Sequence, residues 1–131
     1  MDVAKIVQHL RNALPSVQAI YLFGSYVSGD FDAHSDLDIA VWLSAKSDAV
    51  EFWRLSGDLA DIAGVPVDLV DLGAASTVLQ YQILTKGRRL WAKDAFAGLF
   101  EAFVFAEKMA LDTARAGLLE DVQKDGMIHG R

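Results

Sequence analysis

The spacing of apolar residues divides the chain into short alternating elements. Val3, Ile6, Val7 and Leu10 recur at helical intervals and Leu14 continues them, which predicts an opening helix over 2–14, stopped by Pro15. The apolar run AIYLF predicts a strand over 18–23 that ends at Gly24. One helical turn, Ser25–Ser28, and a polar loop through Ser35 come next. DLDIAVWL, residues 36–43, alternates as a strand: Asp36, Asp38, Ala40 and Trp42 share one face, and Leu37, Ile39, Val41 and Leu43 the other. Ser47 or Asp48 can cap a helix to about Ala63 whose apolar residues are Val50, Phe52, Trp53, Leu55, Leu59 and Ile62, closed by Gly64. VPVDLVDL, residues 65–72, predicts a third strand with Pro66 at its beginning. A helix near 75–86 closes at Gly87, RRLW forms a short strand, and a long helix covers 94–124. With no internal repeat, low-complexity tract or linker, these pieces form one α/β domain over 1–131.

Composition narrows the class. A chain of 131 residues, 53% of them hydrophobic, can bury about two-thirds of its unfolded surface without staples. It has no cysteine, so disulfides and thiolate metal sites are excluded. The start, MDVAKIVQHLRNAL, mixes charges among its apolar residues unlike a signal peptide, and no apolar run reaches the roughly 18 residues of a membrane span. A soluble, cytoplasmic protein is expected. Eighteen acidic against twelve basic residues leave a net charge of −6, which disfavours a nucleic-acid groove. The one dense basic cluster, Lys86, Arg88 and Arg89, is too small for a duplex but large enough to meet a triphosphate; such a cluster more often finishes a helix, where its charge suits the dipole.

Four aspartates stand in GSYVSGDFDAHSDLD, Gly24 to Asp38, between the first two strands. Gly24 and Gly29 have the spacing of a P-loop, but Asp30-Phe31 replace its Lys and Ser/Thr. A calcium loop from Asp30 fails at Ser35 and Val41, where Gly and Glu are needed. His9, His34 and His129 are scattered, against a zinc site, and G-x-S-x-G is absent around Ser25 and Ser28. What remains is Asp36 and Asp38 at i and i+2 on one strand face, which repel each other unless a cation lies between them. Hard oxygen ligands suit Mg²⁺. Asp68, between Val67 and Leu69, is a costly place for a lone buried charge. If its strand neighbours theirs, it completes a three-carboxylate platform for two Mg²⁺ ions. Asp71, with opposite parity, is the weaker choice for that third carboxylate. Gly24 lets the backbone approach a phosphate, and Ser25 can donate to phosphate oxygens or cap the helical turn. Asp30 and Asp32 decorate the loop.

Gly24-Ser25, ten residues, then Asp36-Leu37-Asp38 resembles the G-S-x10-D-x-D signature of the DNA polymerase β-like nucleotidyltransferase superfamily. Asp68 falls at the family's third-carboxylate position. The short chain, LTKGRRLW and a long last helix resemble the minimal nucleotidyltransferases (MNT proteins), many of which are antitoxins paired with HEPN RNase toxins. The motifs span about 18–92; a departure is Tyr26-Val27, where relatives often carry Arg-Ala. The resemblance implies a small mixed sheet flanked by helices (α+β), with Gly24 and Ser25 binding nucleotide and Asp36, Asp38 and Asp68 holding the metal. It implies Mg²⁺-dependent transfer of AMP from ATP to a tyrosine of a HEPN toxin. Two rivals stand beside this reading: an antitoxin that only masks its toxin, and transfer to a small molecule such as an aminoglycoside, for which little chain is left to build a pocket. On the last helix, Phe103 and Phe105 cannot face one direction. The apolar residues of this helix are expected first to cover the domain's own sheet, with part of that surface left for a partner or a second copy, as a hetero-oligomer or homodimer.

Overall fold

The computed structural model describes the backbone of residues 1–128 and the side chains of residues 1–123. His129 lies outside the described residues. Helix α1 (Val3–Ala13) starts where the Asp2 side chain accepts from the Lys5 amide at 3.1 Å, and it buries Ile6 and Leu10 one turn apart. Strand β1 (Val17–Phe23) leads through Gly24 into the one-turn helix α2 (Ser25–Ser28), and strand β2 (Leu37–Leu43) returns antiparallel to β1. Helix α3 (Ala49–Ala63) is capped by Asp48, which accepts from Val50 and Glu51, and closed by Gly64 in the left-handed region. It carries the chain over to β3 (Val67–Asp71), parallel to β2. Helix α4 (Thr77–Lys86), strand β4 (Arg88–Ala92) and helix α5 (Phe96–Ile128) complete the chain. The sheet order is β3-β2-β1-β4, with β4 antiparallel to β1.

Both faces of the sheet are covered, which explains why β1 reads as a continuous apolar run. Ile20, Leu22, Leu37, Ile39, Val41 and Leu69 pack on Ile6 and Leu10 of α1 and Leu55 and Leu59 of α3. Ala19, Tyr21 and Ala40 face Ile83 of α4 and Ala97 of α5. On this second face Trp42 stacks on Phe100, rings 4.4 Å apart and 11° from parallel. The Tyr21 hydroxyl donates to Glu101 Oε2 at 2.8 Å, and Arg89 donates to the same oxygen at 2.9 Å, so α5 is tied to β1 and β4 at one point. Burial, then the Glu101 carboxylate, push the Tyr21 hydroxyl pKa well above its ordinary value.

Most expected elements form within two residues of their predicted bounds, with three corrections. Val50 and Trp53 are exposed, Trp53 to 80%, because the buried stripe of α3 follows Phe52, Leu55, Leu59 and Ile62. The third strand is shorter than 65–72: Asp71 accepts from the Gly73 amide at 3.1 Å and starts a 3₁₀ turn, Leu72–Ala74. Arg88 and Arg89 belong to β4, as the strand expected for RRLW requires, so of the three cations only Lys86, the last residue of α4, finishes a helix. The last helix splits its apolar residues as the sequence suggested. Ala97 and Val104 are buried, and Phe105 meets Tyr81 edge-on at 5.7 Å. Phe96, Leu99, Phe103 and Met109 are exposed, and from Asp112 to Gln123 every described side chain is exposed, Leu118, Leu119 and Val122 included.

Candidate active site

The second sheet face ends in carboxylates. Asp38 sits in β2 opposite Phe23 of β1 on one side and at the same register position as Asp68 of β3 on the other. Asp36 precedes the first residue of β2 and shares the parity of Asp38. Burial, then Asp68, then Asp36, raise the Asp38 carboxyl above its usual pKa. Asp38 is thus the carboxylate that both neighbours crowd. Among the described residues no three His, Cys, Asp or Glu side chains already converge enough to hold an ion. Uncompensated like charges favour that separation. An all-oxygen donor set crowded by like charge fits a hard divalent cation, which would relieve the repulsion that raises the Asp38 pKa.

Asp68 is exposed, so the cost of a buried lone charge is not what marks it. Its register beside Asp38 is. Asp71 pairs with Val41, on the opposite parity, and its carboxylate is engaged with the Gly73 amide, so it stands apart from the cluster. Asp32 accepts from the His34 amide at 2.8 Å and from Ser35, closing the loop turn. It too lies outside the cluster, as expected for loop aspartates.

Gly24 has φ 78 and ψ −156, a conformation open essentially to glycine alone. A Cβ there would overlap the Asp38 carboxylate, reaching its Cγ at 3.0 Å. The glycine therefore serves the acid as much as any phosphate, a role that sequence reasoning did not supply. Gly24, not Ser25, caps α2; its carbonyl accepts from Val27 and Ser28 at 3.0 and 3.2 Å. The Ser25 hydroxyl makes no hydrogen bond to the described residues, which leaves it available. Tyr26 packs on Phe31, rings 4.6 Å apart.

Two hollows flank the cluster. One, of about 250 Å³, is lined by Phe23, Gly24, Ser28, Leu79, Gln82, Ile83 and Lys86. The other, of about 570 Å³, runs along α3 to the free edge of β3, past Trp53, Gly57, Pro66 and Val67, and ends at Asp68. A larger hollow of about 680 Å³ along α1 and Leu90 contains no carboxylate and lies away from the site.

A mixed sheet whose adjacent strands present three carboxylates beside a glycine-serine turn defines a nucleotidyltransferase architecture. Residues 4–96 match the family described as polymerase beta, nucleotidyltransferase, and the chain belongs to that family. It is 40% identical over 118 residues to protein adenylyltransferase MntA of Shewanella oneidensis, covering 90% of this chain and 85% of the relative. A crystal structure of a toxin–antitoxin with AMP-PNP aligns at a TM-score of 0.82 and 38% identity, covering 94% of this chain and 99% of that one. A structure of the tri-AMPylated Shewanella oneidensis HEPN toxin with its MNT antitoxin aligns at a TM-score of 0.74 and 38% identity, covering 92% and 94%. Among the described residues, no helix is long and apolar enough to cross a membrane.

Proposed function

We propose that this chain is a Mg²⁺-dependent protein adenylyltransferase that moves AMP from ATP to a tyrosine hydroxyl of a HEPN-type toxin and so silences it. The observation that carries this reading is Asp38, crowded by Asp36 and Asp68 and lying against the Gly24 backbone. The relatives with known partners support the acceptor class. Asp36 and Asp38, with Asp68, would hold the metal, which when bound supplies positive charge at the α-phosphate and the leaving pyrophosphate. Gly24 and Ser25 hold phosphate oxygens through the open backbone and the free hydroxyl. Asp68, at the exposed edge, takes the acceptor's proton as its oxygen bonds to the α-phosphorus and the bond to pyrophosphate breaks. The acceptor side chain reaches Asp68 along the hollow beside Trp53.

The exposed apolar residues of α5 suit a protein partner, and relatives are solved in complex with a toxin, which supports a toxin as that partner. That surface also favours a second reading, in which binding alone masks the toxin. Stoichiometry separates the two. Titrating a HEPN toxin's RNase activity with this chain should give full inhibition at substoichiometric amounts, only with ATP and Mg²⁺. Inhibition that needs equal amounts and ignores ATP would leave masking in its place. The cytoplasm, which supplies ATP, is the corresponding location.

A further inference from the structure

The basic segment Lys86-Gly87-Arg88-Arg89 divides three ways in the structure. Arg89 donates to Glu101 at 2.9 Å and helps fix α5. Arg88 pairs in register with Leu22, a residue of the α1–α3 face, and so stands on the side of the sheet away from the carboxylates. Lys86 alone of the three lines the 250 Å³ hollow, together with Gly24 and Ser28. It is the only charged residue among those lining it and forms no ion pair among the described residues.

Its position is built in. Gly87 follows Lys86 where α4 runs into the end of β1, and a Cβ on Gly87 would overlap the Ile83 carbonyl oxygen and come within 2.7 Å of the Leu22 carbonyl oxygen. Only a residue without a side chain allows this approach. It brings the last residue of α4 beside Phe23 and the glycine-serine turn. Gly24 thus touches the Asp38 carboxylate and also walls the hollow that holds Lys86.

We infer that this hollow seats the β- and γ-phosphates of the nucleotide and that Lys86 is the residue positioning them. This rests on the proposed reading of the acid cluster as the place of the α-phosphate. A chain of phosphates extending from that point past Gly24 enters the hollow directly. The turn Ser25–Ser28 carries no cation of its own, so the tail's charge must be met from elsewhere. An ammonium donates only, which suits phosphate oxygens. Leu79 and Ile83 in the walls lower the local dielectric and strengthen its attraction.

The test is calorimetric binding of AMP-PNP and of AMP, with Mg²⁺, to the wild-type chain and to Lys86→Ala, Lys86→Arg and Arg88→Ala, with melting curves alongside. Lys86→Ala should weaken AMP-PNP about tenfold and AMP by less than about twofold, at unchanged Tm. Lys86→Arg should restore most of the affinity, and Arg88→Ala should bind as wild type. Undiminished AMP-PNP binding by Lys86→Ala overturns the inference while leaving the nucleotide site intact, as does an equal loss for AMP and AMP-PNP. A wild-type chain that binds neither nucleotide overturns the site reading as well.

Discussion

Replacing Gly24 by alanine should separate the site's chemistry from the fold's stability. With φ 78 and ψ −156, the residue occupies a region whose cost for a residue with a Cβ is about 1–3 kcal/mol. For a domain of this size that is a fall in Tm of about 4–12 °C. The second effect is local. The new Cβ falls on the Asp38 carboxylate, so the acid must rotate out of its place between Phe23 and Asp68. A displacement of about 1 Å in a reacting constellation costs about 100-fold in rate. Gly64 supplies the control, since it also has positive φ, 76, yet a Cβ there meets open space. Gly64→Ala should cost about 1 kcal/mol and leave transfer unchanged. The assay is adenylyl transfer to a HEPN toxin well below either variant's Tm, with melting followed by circular dichroism. If Gly24→Ala folds and transfers AMP within threefold of wild type, the contact with Asp38 does not serve catalysis.

Other expectations follow from the same coordinates. Asp38 carries a raised pKa, so the native chain holds that proton more tightly than the unfolded one. The ionised carboxylate therefore costs stability, which is gained back as pH falls through the raised pKa towards the unfolded carboxylate value. Asp38→Asn should thus raise the metal-free Tm at neutral pH and lose that advantage in acid. Added Mg²⁺ should stabilise the wild type and not this variant, measured by thermal melts across pH. Glu101→Ala removes the acceptor shared by Tyr21 and Arg89 and should cost about 1–3 kcal/mol in urea unfolding. Trp53→Ala, at an 80% exposed residue, should shift stability by less than about 0.5 kcal/mol yet raise KM for the toxin severalfold with KM for ATP unchanged.

Periodicity was enough to read α1, β1, β2 and α3 from the chain because each carries buried apolar residues at helical or strand spacing. The glycine-serine turn and the Asp36–Asp38 pair were legible for a different reason: their spacing is local. For Asp68 the expected burial is absent, while the expected neighbouring of its strand with that of Asp38 is present as parallel pairing between positions 30 residues apart. The exposure of Val50 and Trp53 depended on which α3 stripe meets the sheet, and a helix with apolar residues on several sides does not announce that. For Lys86, Arg88 and Arg89 the helix stop and the strand were legible, but the split of the two arginines between sheet faces was not. Three adjacent cations end on a helix terminus, one sheet face and the other, because the helix stops at Gly87 and a strand begins at once.

Intact mass of a HEPN toxin incubated with this chain, ATP and Mg²⁺ tests the central claim most directly, with Asp36→Ala/Asp38→Ala run in parallel. Adenylate-sized increments on the toxin with the wild type, and none with the double variant, are expected. An unchanged toxin mass accompanied by full inhibition of its RNase activity would contradict catalysis and leave only binding.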